Sequence, residues 1–162
     1  MTTRERSLSN LSGLEPSFRK KVEDWWAECE ADGIELLIYC GLRTFKEQDD
    51  LYAQGRTEAG RIITNARGGQ SFHNYGRAID YVPLKDGKAD WDDDKTYARA
   101  QAIGAKLGLR AISWETPHLE DGSVASWRDL AKMPTIERKA PSMTLKAPAN
   151  TKPRKAIGRG LR

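Results

Sequence analysis

SFHNYGRAID, residues 71 to 80, places a histidine and an aspartate on either side of a glycine and leads directly into an alternating apolar stretch. The alternation continues through GRAIDYVPL (Gly76 to Leu84), with the two-residue period of a strand. Asp80 therefore stands on a strand and His73 in the segment that enters it. Upstream, residues 55 to 76 are rich in Gly, Asn and Ser and read as loop, with RIIT (Arg61 to Thr64) as a short strand inside it. Before that loop, Thr44 followed by Glu47 forms a capping-box signature for a helix running toward Gly55, which puts Arg43 at a strand-to-helix junction. ELLIYC (Glu35 to Cys40) is a buried strand between Gly33 and Gly41, and residues 16 to 31 place Phe18, Val22, Trp25 or Trp26, and Cys29 at helical spacing behind Pro16.

Downstream, KDGKADWDDD reads as a polar turn region. Asp94 caps a helix that sets Tyr97, Ala100, Ile103 and Leu107 on one face and stops at Gly108. AISWETPHLE (Ala111 to Glu120) reads as a strand broken by Pro117, and Ser126 opens a short last helix with Trp127 and Leu130. The strands lie too close together for βαβ crossovers. The expected fold class is therefore α+β, a small antiparallel sheet flanked by helices.

The 162 residues, 38% hydrophobic and 31% charged, suit one domain, expected over residues 1 to 133, with five Trp as bulky core material. No stretch has the roughly 20 apolar residues of a bilayer span, and MTTRERSLSNLSG lacks the apolar region of a secretory signal, so synthesis in the cytoplasm is expected. Cys29 and Cys40, on a helix and a strand, are assigned to packing. Beyond Met133, four Pro lie among eight Lys or Arg and a single acidic residue, Glu137, giving this tail +7 in a chain whose total is +4. Residues 134 to 162 are expected to be a disordered or surface-attached tail that meets anionic wall or outer-membrane polymers. Nucleic acid ranks last as a partner, because the tail has no aromatic residue to stack on a base.

The two His of the chain each have a carboxylate nearby in sequence: Asp80 for His73, and Glu115 for His118 in WETPH. Catalytic zinc takes three protein ligands and leaves a position for water, and His73, Asp80 and His118 supply a His2Asp set. A kink at Pro117 would turn Glu115 toward that centre, as a base for water and then a proton donor to a leaving amine. Arg43, charged at any working pH, is the candidate for holding a carbonyl oxygen as it gains charge. Taken alone, this spacing is equally compatible with core or surface histidines and with Arg43 in a structural ion pair.

Three blocks together carry more: GLRTFKEQDDLYAQGR (Gly41 to Arg56), SFHNYGRAID, and WETPHLE (Trp114 to Glu120). In order and separation they resemble the signatures of the VanY-like, D-Ala-D-Ala-type metallopeptidases of the LAS superfamily, and within it the L-alanyl-D-glutamate endopeptidases of phage endolysins. The resemblance covers roughly residues 11 to 130. It implies a LAS/Hedgehog-like fold, one zinc per chain on His73, Asp80 and His118, Glu115 as the base, Arg43 at the substrate carbonyl, and Ser71 and Gln48 in contact with substrate. Gly76 of the same motif is expected to serve a tight turn. Glu115 stands where the endolysin branch usually has Asp, as it does in the D-Ala-D-Ala dipeptidase branch, and only RAIS (Arg110 to Ser113) separates Leu109 from Trp114, which shortens one wall of the cleft. The implied activity is hydrolysis of L-Ala-D-Glu bonds in peptidoglycan by a monomer that reaches the wall after release. The alternatives are a D-Ala-D-Ala carboxypeptidase or dipeptidase, and a non-catalytic zinc-containing wall-binding module.

Overall fold

The computed structural model describes residues 1 to 133, so the expectations for the basic tail lie outside the described residues. Helix α1 (Thr3–Leu11) and helix α2 (Pro16–Ala31) come first, followed by strand β1 (Leu36–Cys40) and helix α3 (Phe45–Ala53). A 3-10 turn (Phe72–Tyr75) then enters strand β2 (Ala78–Lys85), which folds back on the two-residue strand β3 (Lys88–Ala89). Helix α4 (Asp94–Lys106), strands β4 (Leu109–Ile112) and β5 (Glu115–Asp121), and helix α5 (Trp127–Lys132) complete the order. The sheet runs β1-β2-β5-β4 with every pairing antiparallel, the α+β arrangement expected. No helix among the described residues is long and apolar enough to cross a membrane.

One face of the sheet receives α2 and α4. Phe18, Val22, Trp25 and Cys29 of α2, Ile38, Ile79, Tyr81 and Leu119 of the strands, and Ala100 of α4 are all fully buried together. Trp25 meets the ring of Tyr81 edge-on, with centroids 4.9 Å apart, and its indole N–H donates to Ala100 O at 2.8 Å. The indole thus ties α2 to both β2 and α4.

Helix α1 went unread in the sequence, although Thr2 and Glu5 form a capping box at its start. It covers the outer edge of β1. Ser7 Oγ accepts from Ile38 N at 3.1 Å and Asn10 Nδ2 donates to Ile38 O at 3.0 Å, so two groups of an edge strand are satisfied by side chains rather than left to recruit another chain. A Cβ on Gly41 would sit 2.2 Å from Asn10 O, so the approach of α1 requires glycine there.

Three local expectations are corrected. Arg61–Thr64 form no strand; the loop there is held by side chains, with Arg56 donating to Tyr52 O and Thr64 O, and Gln48 donating to Ala66 O. Asp93, not Asp94, caps α4, accepting from Thr96 N at 3.0 Å. Pro117 does not break its strand. The chain turns at Ser113 and Trp114, and β5 runs on from Glu115, with Pro117 inside an irregularity where pairing with β4 jumps from Ala111–Leu119 to Ile112–Glu115. A missing N–H is tolerated at such a bulge because no ladder bond is required of it.

Candidate functional site

On the face of the sheet away from α2, the register lines up chemistry. Cys40 of β1 lies opposite Asp80 of β2, and Asp80 lies opposite His118 of β5, so these three form one row across three strands. Cys40 reaches that row because the β1–β2 register slips at Tyr39, an irregularity of the kind that re-aims a side chain. The 3-10 turn brings in His73. Ser71 caps the turn by accepting from His73 N at 3.3 Å, and the turn ends at Gly76 with φ of +64°, the left-handed position that glycine suits.

His73, Asp80 and His118 are 2%, 1% and 4% exposed. His73 Nε2 lies 3.2 Å and His118 Nδ1 3.3 Å from the same oxygen, Asp80 Oδ1. Each separation is close to the roughly 3.3 Å between two ligand atoms of a tetrahedral ion bound at about 2.0 to 2.1 Å, and Asp80 is the residue common to both. The remaining ring nitrogens face acceptors: His73 Nδ1 is 2.7 Å from Gly41 O, and His118 Nε2 is 2.9 Å from Glu120 Oε2. Each imidazole can thus donate on its far side and present a lone pair on the near side. Ligand-capable atoms of Asp80, Glu115 and His118 all fall within 4.8 Å of one another, so Glu115 reaches the same point. Two groups that share Asp80, Cys40–His73–Asp80 and Asp80–Glu115–His118, each bring ligand-capable atoms within 4.8 Å of one another, a donor set of the kind that can hold a metal ion.

Both imidazoles favour the protonated form in this setting. Burial works against a charged imidazole at His73, but the Asp80 carboxylate outweighs it and raises His73 to about 10. Asp80 is also penalised by burial, yet His73 and His118 hold it well below the usual carboxylate range. A cation taken up here must displace those protons, so its binding weakens as pH falls.

Arg43 is held on the flank of this cluster. Its backbone N donates to His73 O at 3.0 Å and its carbonyl accepts from Asn74 Nδ2 at 2.9 Å. Its guanidinium donates to Gln48 Oε1 at 2.9 Å and to Cys40 Sγ at 3.3 Å, and lies 3.5 Å from Asp80 Oδ2. Gln48 is 1% exposed, with its amide oxygen accepting from Arg43 and its amide nitrogen donating to Ala66 O. Cys40, assigned to packing from the sequence, instead borders the cluster with Sγ 3.8 Å from His73 Nδ1, whereas Cys29 lies in the core. Glu120 and Arg110, also unread, extend the site on its other side. The signal for Glu120 was its place two residues after His118 on one strand, which puts both on the same face.

Comparison with known proteins follows the same outline. A family model described as VanY, D-alanyl-D-alanine carboxypeptidase, matches residues 12–122. The peptidoglycan L-alanyl-D-glutamate endopeptidase CwlK of Bacillus subtilis is 49% identical over 82 residues, covering 50% of this chain and 49% of that protein. The L-alanyl-D-glutamate peptidase of Listeria phage A118 is 30% identical over 125 residues, covering 71% of this chain and 40% of its own. The matched region thus spans less than half the length of either relative. Among solved structures, the Serratia marcescens L-Ala D-Glu endopeptidase ChiX superposes with a TM-score of 0.56 at 18% identity, over 78% of this chain and 90% of that one. A VanY D,D-pentapeptidase from a VanB-type resistance cassette, solved in complex with Zn(II), superposes with a TM-score of 0.54 at 14% identity, over 74% and 79%. These two likenesses speak to the fold.

Proposed function

Because the chain belongs to the VanY D-alanyl-D-alanine carboxypeptidase family, matched over most of its length, we propose that it is a zinc-dependent peptidase that cuts the L-Ala-D-Glu bond of peptidoglycan stem peptides. The observation that carries this reading is the convergence of His73 Nε2 and His118 Nδ1 on one oxygen of Asp80, with Glu115 in reach of the same point. Zinc bound there would supply a Lewis acid that polarises the scissile carbonyl and acidifies water.

The chain's own groups divide the remaining work. Glu115 takes a proton from the attacking water and hands it to the departing amine. Arg43, fixed by Gln48, Cys40 and the backbone of the His73 turn, is a permanent cation placed to steady the carbonyl oxygen as negative charge builds on it. Ser71 caps that turn and stands where substrate contact is proposed, while Gln48 acts through Arg43. Trp114, in the turn directly before Glu115, is 64% exposed. On this reading the enzyme works in the cell wall after release from the cytoplasm.

The choice of bond rests on the likeness to CwlK and to the phage A118 L-alanyl-D-glutamate peptidase, whereas the D-alanyl-D-alanine carboxypeptidases of the family favour D-Ala-D-Ala. Digestion of purified peptidoglycan followed by mass spectrometry separates the two. New amino termini on D-Glu are the expected product; free D-Ala without them would reassign the enzyme to the carboxypeptidase alternative.

A further inference from the structure

Beside the Asp80–His118 row lies a second one, shifted two residues along the strands. Ala78 of β2 pairs with Glu120 of β5, and Glu120 pairs with Arg110 of β4. Glu120 shares the strand face of His118, while Leu119 between them is buried in the core. The two oxygens of Glu120 have separate duties. Oε1 accepts from Arg110 Nε at 2.9 Å and from Arg110 Nη2 at 2.7 Å, and Oε2 faces His118 Nε2 at 2.9 Å. Arg110 is itself fixed, since Nη2 also donates to Val124 O at 2.9 Å and its guanidinium lies 5.5 Å from the Phe72 ring centroid.

An ionised carboxylate only accepts, so a nitrogen 2.9 Å from it must donate. Nε2 of His118 then carries a hydrogen toward Glu120, and when a metal takes the place of the proton on the other side, Nδ1, the nitrogen facing Asp80, is the one left to bind it. We propose that Glu120, clamped by Arg110, is a positioning residue that fixes His118 in the orientation and tautomer that bind the metal. The inference rests on the zinc reading above. It also assigns opposite nitrogens to the two ligands: Nε2 for His73, whose Nδ1 faces Gly41 O, and Nδ1 for His118.

The Gln variant exposes this role because an amide cannot accept on both sides. In Glu120→Gln, Arg110 claims the amide oxygen, which turns the NH2 toward His118 Nε2, and a donor there favours the tautomer with hydrogen on Nδ1, the wrong nitrogen. Zinc affinity of Glu120→Gln, measured by competition with a chromophoric chelator, is expected to fall about 10- to 100-fold, the usual effect of losing such a partner. Removing the clamp as well, in Arg110→Met with Glu120→Gln, frees the amide to rotate its oxygen to His118 and should recover at least about tenfold of that loss. A merely structural ion pair would instead make the double variant as weak as the single one or weaker. In zinc-loaded wild-type protein with 15N-labelled histidine, one ring is expected to be bound through Nε2 and the other through Nδ1. Affinity of Glu120→Gln within twofold of wild type, no recovery in the double variant, or both rings bound through the same nitrogen would each overturn the proposal. Failure of the wild-type chain to bind zinc would instead overturn the functional reading beneath it.

Discussion

Replacing Glu115 by Gln is expected to abolish wall clearing while leaving the zinc in place. The amide keeps the size of the side chain and its capacity for hydrogen bonds but cannot take a proton, so the rate should fall about 100- to 10,000-fold, the range for a general base. Glu115 begins β5, directly after the Ser113–Trp114 turn, and is half-buried, so the substitution leaves the apolar core of α2, α4 and the sheet untouched. Two measurements belong together: turbidity loss of purified walls, and zinc bound per chain. Clearing at the wild-type rate would remove Glu115 from the mechanism. Loss of zinc along with activity would make it a ligand rather than the base.

Trp25 to Ala should cost about 3 to 5 kcal/mol of folding stability, as expected for removing a buried indole. The ring is fully buried, meets Tyr81 edge-on and donates to Ala100 O, so its loss opens a cavity where α2, α4 and β2 meet and removes the hydrogen bond that ties α2 to α4. Small domains have only about 5 to 15 kcal/mol in total, so the variant should be marginal at room temperature. The effect should reach the site as well, because Tyr81 is the strand neighbour of Asp80. Urea unfolding provides the check. A loss below about 1.5 kcal/mol would mean that the neighbours close over the gap, and that Trp25 is not the keystone of this core.

The parts of the fold that were legible were those whose signal is local. α2 announced itself through Pro16, an apolar stripe and Gly33; α3 through the Thr44–Glu47 capping box; and β2 through its short apolar run around Asp80. What stayed hidden depended on partners far away in sequence. α1 exposes Leu8 and gains its purpose from covering β1, through the Ser7 and Asn10 contacts to Ile38, about thirty positions on. Cys40 read as packing because a strand register slip, invisible in the residues themselves, turns it toward His73 and Arg43. Pro117 read as a strand breaker because its tolerance comes from the irregular pairing of β5 with β4. The convergence of His73, Asp80 and His118 was suggested by the three motif blocks, but their geometry follows from the antiparallel register, which sets Asp80 opposite His118. Gln48 is tied to Arg43 by a contact that the motif position alone does not reveal, its buried amide accepting from the guanidinium.

Zinc content, determined by elemental analysis after dialysis at neutral pH, bears most directly on the whole account. Wild-type chain should retain about one zinc per molecule, and His73→Ala and His118→Ala should each fall to about a tenth or less, because two protein ligands rarely hold the ion against buffer. Folded wild-type protein without zinc, or variants that keep it in full, would contradict the claim that these side chains meet around a single metal ion.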